Sequence, residues 1–187
     1  MDRWATFDCY GTLIDWNGGI RRELAQVFGD DRADAKLDEY HRIEPELEHD
    51  GTLTYRAVLT EAMRRLGAPD REEHRLADSL PGWRPFSEVP HTLEELRRRG
   101  WKLAILSNTD DDFIAASQVQ LGVPFDEVVV AQEIGSYKPA HKHWDEFFTR
   151  TRADRGRHVH VAASLFHDIV PANELGLVSV WINRLGE

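Results

Sequence analysis

Five short apolar runs in this chain each stop at, or one residue short of, a polar side chain with chemical capacity, and that recurrence constrains the fold more than any other feature. The run 4–7 ends at Asp8, 102–106 at Ser107, Glu127–Val130 just ahead of Gln132, 159–163 at Ser164 and 178–182 at Asn183. Their β-branched and aromatic content reads as strand, and a sixth such run covers 85–89. Between them lie helical spacings: Leu93 and Leu96 before Gly100, Trp144, Phe147 and Phe148 at i, i+3, i+4, and Ala172 with Leu175 before Gly176. Strand and helix in alternation predict a parallel α/β sheet of at least five strands, and Asp8 is expected on a central one. Ligands of such sheets bind beyond the carboxyl ends of the strands, so the polar run ends are expected to meet at one site.

Residues 16–84 break the alternation. They show only helical spacing, first Ile20, Leu24, Val27 and Phe28, then Leu37 and Tyr40, then Tyr55, Val58, Ala62 and Leu66. This predicts a helical cap inserted into a core made of residues 1–15 and 85–187, hanging over the edge where the strands end. Pro45 is expected to end or kink the second cap helix, because it has no N–H to donate and its ring clashes with the preceding turn. Arg97-Arg98-Arg99 reads as the solvated end of a helix.

A chain of 187 residues, 41% hydrophobic, supports one core with a small insert. Its formal charge of −10 repels phosphate backbones and anionic membranes, so no nucleic-acid or membrane partner is expected. No apolar run approaches the roughly 20 residues of a membrane helix. Cys9 is the single cysteine, and the opening Met1-Asp2-Arg3-Trp4 is unlike a basic and then apolar leader; both point to a reducing cytoplasm.

Asp8 sits beside a Gly-containing turn, Cys9-Tyr10-Gly11-Thr12-Leu13, where a carboxylate serves as a nucleophile, a metal ligand or simply a turn initiator. Cys9, with no histidine at a supporting position, reads as a packed thiol. His141-x-His143, His158-x-His160 and the set Glu44, Glu46, Glu48 lack the four-ligand spacing of a structural zinc site. His158 and His160 share one strand face, which suits a joint metal site or, more simply, a hydrogen-bonded pair.

Taken together, Phe7-Asp8-Cys9-Tyr10-Gly11-Thr12-Leu13, Leu106-Ser107-Asn108, Tyr137-Lys138-Pro139 and the segment around Asp168 follow the order and spacing of one family. The chain resembles the haloacid dehalogenase superfamily over nearly its whole length. Pro85-Phe86-Ser87-Glu88-Val89-Pro90 and Trp181-Ile182-Asn183-Arg184 are similar to its 2-haloacid dehalogenase branch. The resemblance implies a Rossmann-like core with a helical cap. It also implies a reaction in which Asp8 displaces a leaving group and water then hydrolyses the aspartyl ester. By the same likeness Lys138 neutralises and orients Asp8, Thr12 and Ser107 hold the nucleophile and the substrate carboxylate, and Asp168 orients Lys138 or the hydrolytic water. Tyr10, Arg42, Asn108 and His167 would contact a small anionic substrate, with Arg42 and Asn108 receiving the halide. No cofactor is implied, and family likeness suggests a homodimer.

Phosphatases of the superfamily carry a second Asp two residues after the nucleophile to protonate an alkoxide. Tyr10 stands there, and a halide needs no proton to leave. Such phosphatases also place an acid four residues before Asp168 to bind magnesium, where this chain has Ser164; one carboxylate fewer weakens a hard-cation site. A magnesium-dependent phosphatase using Asp8, Asp168 and the Tyr10 carbonyl is therefore the alternative. The chain departs from the dehalogenase pattern too. Ala163 and Leu165 replace polar groups that would handle the nucleophile or water, Trp144 stands where the branch has Tyr, and His167 adds an imidazole expected to titrate near pH 7. A fold-retaining binding protein without catalysis is the third reading. The chain stops at Glu187, soon after its last strand, where relatives usually continue.

Overall fold

The computed structural model describes residues 2–49 and 51–186. Five strands, β1 (Arg3–Phe7), β2 (Trp101–Ser107), β3 (Glu127–Val130), β4 (His158–Ala162) and β5 (Ser179–Trp181), form one parallel sheet in the order β3-β2-β1-β4-β5. β1 is central, as expected, so Asp8 leaves the middle of the sheet. Because side chains alternate across a strand, Ala5, Phe7, Leu103 and Ile105 enter one core while Trp4, Ala104 and Leu106 enter a second on the opposite face.

Each predicted helical spacing falls on a helix or its cap, while the helices Arg75–Ser79, Asp111–Leu121 and Ala131–Ile134 are additional. α1 (Trp16–Phe28), α2 (Asp30–Glu48), α3 (Tyr55–Arg65) and the short α4 (Arg75–Ser79) occupy the chain between β1 and α5 (Val89–Arg98). α5 and α6 (Asp111–Leu121) cover the first core together with these cap helices, and the short α7 (Ala131–Ile134) follows β3 directly. α8 (Lys142–Thr151) and α9 (Val170–Glu174) cover the second, with Trp144 and Phe147 fully buried. Truncating Trp144 to alanine would cost about 3–5 kcal/mol.

Two local expectations are corrected. The run 85–89 is no strand: Pro85 makes only an isolated bridge to Ile14, and Val89 opens α5 with Pro90 in its first turn, where a missing N–H costs nothing. Pro45 does not end α2, which continues to Glu48. Tyr40 and Leu47 are buried on either side of it, and that packing outweighs one lost backbone bond.

The insert is fastened to the sheet. The Asp110 carboxylate after β2 accepts from the N–H groups of Tyr55 and Arg56, both at 2.8 Å, and so caps the start of α3. Tyr137 donates to the Leu53 carbonyl at 2.9 Å. Gly19 lies so near the Trp83 indole that a Cβ would sit 2.5 Å from its ring, so only glycine admits this approach. No helix among the described residues is long and apolar enough to cross a membrane.

Candidate functional site

Asp8 is the first residue past β1, and its N–H still donates to Val161 at 3.1 Å. The chain then turns through Gly11, at φ +83°, a conformation that favours glycine. The turn brings Thr12 back over the strand end. Its hydroxyl donates to Asp8 Oδ2 at 2.7 Å and accepts from the Ala163 N–H at 2.9 Å, linking the tips of β1 and β4.

Lys138 arrives from the loop between α7 and α8. An ammonium has three hydrogens, and all are used: Asp8 Oδ1 at 2.9 Å, the Leu106 carbonyl at 2.9 Å and Asp168 Oδ1 at 2.6 Å. Asp168 comes from the π-helical turn Leu165–Ile169 after β4 and also accepts from His160 Nε2 at 3.1 Å. All three charged groups are buried. Burial would release the Lys138 proton, but Asp168 and Asp8 outweigh it and raise its pKa. Burial likewise works against the Asp168 anion, and Lys138 with His160 overcomes it, bringing the carboxyl down to about 2. For Asp8, burial and the charge of Asp168 prevail over Lys138 and Thr12, so its pKa lies above the ordinary 3.8. Asp8 is thus the more basic of the two carboxylates, and the better electron-pair donor.

These groups open onto a cavity of about 570 Å3 where the cap meets the strand ends. Asp8, Tyr10, Ser107, Asn108, Lys138, His167 and Asp168 line it; Thr12 acts from behind through Asp8. The Asn108 amide locks Lys138 in place, accepting from its N–H at 2.7 Å and donating to its carbonyl at 3.1 Å. Its other hydrogen goes to Glu48 at 3.3 Å, so neither amide hydrogen waits for a halide. The Tyr10 ring lies parallel to Tyr55 while its hydroxyl bonds Ser117 at 2.9 Å. Cys9 is buried and its thiol pushed well up by burial, which makes it inert. Burial and Lys138 lower the His167 pKa below 6.5, so it is neutral at pH 7 instead of titrating there.

Arg42 does not reach the cavity. It is exposed, and its Nε donates to the Asp38 carbonyl at 3.3 Å on the same helix. The face of α2 turned to the site carries His41, Glu44, Pro45 and Glu48, at i, i+3, i+4 and i+7, and residue 42 falls about 100° off that stripe. Sequence reasoning named the Glu44 and Glu48 set without placing it here. The available signal was their i, i+4 spacing on a helix that also buries Tyr40. Glu44 Oε1 accepts from Tyr40 at 3.1 Å and Tyr55 at 3.0 Å, yet burial still pushes its carboxyl up to about 7. Burial and Glu44 push Glu48 well above 4.5. Arg184 also lines the cavity, donating to the Thr12 carbonyl at 2.9 Å.

The donor set does not fit magnesium. Asp8 and Asp168 turn their Oδ1 atoms to one ammonium, Ser164 is engaged with His167, and no group of three or more His, Cys, Asp or Glu among the described residues is placed to hold a metal ion.

Comparison with known proteins places the chain in a family. A family model described as haloacid dehalogenase-like hydrolase matches residues 3–176. The (S)-2-haloacid dehalogenase of Pseudomonas sp. (strain YL) is 36% identical over 118 residues, 62% of this chain and 50% of that protein. The (S)-2-haloacid dehalogenase 4A of Burkholderia cepacia is 28% identical over 197 residues, 98% of this chain and 84% of that protein. This chain therefore spans half the length of the first relative and most of the second. A solved dehalogenase with an intermediate complex superposes with a TM-score of 0.87 at 24% identity, covering 100% of this chain and 87% of that one, which shows a common fold.

Proposed function

The chain belongs to the haloacid dehalogenase-like hydrolases, and from that membership we propose that it removes halide from short 2-haloacids through an ester on Asp8. The observation that carries the proposal is the Asp8 carboxylate, held at 2.7 Å by Thr12 and 2.9 Å by Lys138 on the wall of the cavity. A fixed, buried and comparatively basic carboxylate needs little reorganisation to attack.

In the first step an Asp8 oxygen bonds to C2 of the substrate, and the carbon–halogen electron pair leaves with the halide. In the second, water adds to the Asp8 carboxyl carbon and the ester bond breaks, releasing the 2-hydroxyacid. One proton is set free per turnover. Lys138 balances the negative charge in both steps, and Ser107 with the turn amides and Arg184 holds the substrate carboxylate. A halide is a weak base, so the absence of an acid at Tyr10 is no handicap. For a phosphate monoester the site offers no proton donor at Tyr10 and, among the described residues, no magnesium donor set.

The same proposal takes residues 1–15 and 85–187 as the catalytic core, 16–84 as a cap that shields the ester from bulk water, and a cytoplasmic homodimer as the working form. A single turnover in heavy-oxygen water is expected to label Asp8 itself; label confined to the product sinks the ester. Halide release from each enantiomer of 2-chloropropionate, independent of magnesium, tests the substrate class. Magnesium-requiring turnover of an aryl phosphate without halide release sinks it. Sedimentation of the purified protein tests the dimer.

A further inference from the structure

His158, His160 and Thr6 are buried polar residues that take no direct part in the chemistry above. The parallel register sets Thr6 beside His160 and Trp4 beside His158, and the period of two turns both imidazoles to the face covered by α8. There Trp144 packs edge-on against His160, centroids 5.2 Å apart, and Phe147 and Phe148 flank His158. Thr6 and His160 are fully buried and His158 is only 4% exposed, so the hydrogen bonds of the group close almost entirely internally. They form one line: His158 Nε2 to Thr6 Oγ1 at 2.9 Å, Thr6 Oγ1 to His160 Nδ1 at 2.8 Å, and His160 Nε2 to Asp168 Oδ1 at 3.1 Å.

Proton counting gives this line a direction. The Asp168 carboxylate only accepts, so His160 Nε2 carries a hydrogen. A neutral His160 then has a bare Nδ1, which must accept from Thr6. With its one hydrogen spent, Thr6 accepts from His158 Nε2–H, and His158 Nδ1 is left as a bare lone pair. That atom is among the buried side-chain atoms without a partner. The reverse polarity, with His160 charged, would put a hydrogen on His158 Nδ1 with nothing to receive it.

We propose that this one-way chain makes His160 the positioning residue for Asp168 and, through Asp168, for the Lys138 ammonium during hydrolysis of the ester. In the resting site Lys138 is held between two carboxylates at 2.9 and 2.6 Å. Once Asp8 is esterified it is neutral, and Asp168 is the remaining anion that holds the ammonium. The second step therefore depends on His160 more than the first. The kinetic part rests on the ester reading of the preceding section; the proton assignment does not.

Nitrogen-15 NMR of the histidine rings in the intact protein is expected to show Nε2–H neutral tautomers for both His158 and His160; an Nδ1–H tautomer or an imidazolium at His160 overturns the chain. His160→Leu is expected to lower kcat for halide release by about 10- to 100-fold, the loss of one hydrogen bond to a charged group, with KM falling alongside it so that kcat/KM, which reports the first step, changes less than about twofold. Rapid-quench intact mass should then show the Asp8 ester accumulating. His160→Gln, whose amide N–H reaches about where Nε2 does, should recover most of the rate, and Thr6→Val should fall between the two. Unchanged kcat in His160→Leu, loss without ester accumulation, or equal loss in the Leu and Gln variants overturns the proposal. If the wild type releases no halide from any 2-haloacid, the ester reading fails, and the NMR signals still decide the chain.

Discussion

Replacing Lys138 with methionine keeps most of the stem and deletes the charge on which the site is built. Lys138 and Asp168 side chains are each 1% exposed and Asp8 is 11% exposed, so the variant leaves two anions in a water-poor site without a cation. Removing one partner of a buried pair costs about 3–5 kcal/mol, which for a chain of this size lowers Tm by about 6–20 °C. The pH dependence distinguishes this cause from lost packing. In the wild type Asp168 lies at about 2 against an ordinary 3.8, a difference of about 2 kcal/mol. That contribution is present above pH 3.8 and fades as pH falls through 2. In Lys138→Met the main opposition to burial is gone, so Asp168 moves above its ordinary value and takes up a proton on folding. Its folded state is then favoured as pH falls, the opposite sign. The destabilisation is expected to be larger near pH 8 than near pH 5. Urea unfolding followed by tryptophan fluorescence measures it, and adding Asp168→Asn should restore stability but not turnover. Equal destabilisation at both pH values refutes the electrostatic reasoning.

The cap acids give a second pH signature. Glu44 titrates at about 7 against an ordinary 4.5, so stability is greatest below 4.5 and declines as pH rises through 7, by about 3 kcal/mol. Glu44→Gln still accepts from Tyr40 and Tyr55 and should flatten that decline in urea titrations; an unchanged slope contradicts the assignment. Thr12→Val removes the hydroxyl that grips Asp8 and leaves the Ala163 N–H unpaired, and it should lower kcat by about 10- to 100-fold in halide-release assays. Arg42→Ala, on the solvent face of α2, should leave kcat and KM within about twofold; a large rise in KM would mean that this helix turns in solution.

The sheet and the identity of its polar ends were legible in the chain because both are local properties. A strand declares itself by a few apolar residues, and Asp8, Ser107 and Ser164 lie at or near strand ends whatever the surroundings. Lys138, 130 residues from Asp8, is invisible to periodicity and was reached through family likeness. The rotation of α2 was beyond sequence reasoning. Local spacing says that residues 41, 44, 45 and 48 share a face, but burial of Tyr40 and Leu47 decides that this face, and not the one bearing Arg42, looks at Asp8. The same holds for Pro45, whose missing bond is a local cost overridden by packing on either side. His158 and His160 were visible as a pair on one strand face; that they bond Thr6 and Asp168 instead of a metal follows from parallel register and from the burial of that face. Composition and spacing thus determine which groups reach the site's edge. Which of them face each other, and with what charge, is settled only when the sheet, the cap and α8 exclude water from between them.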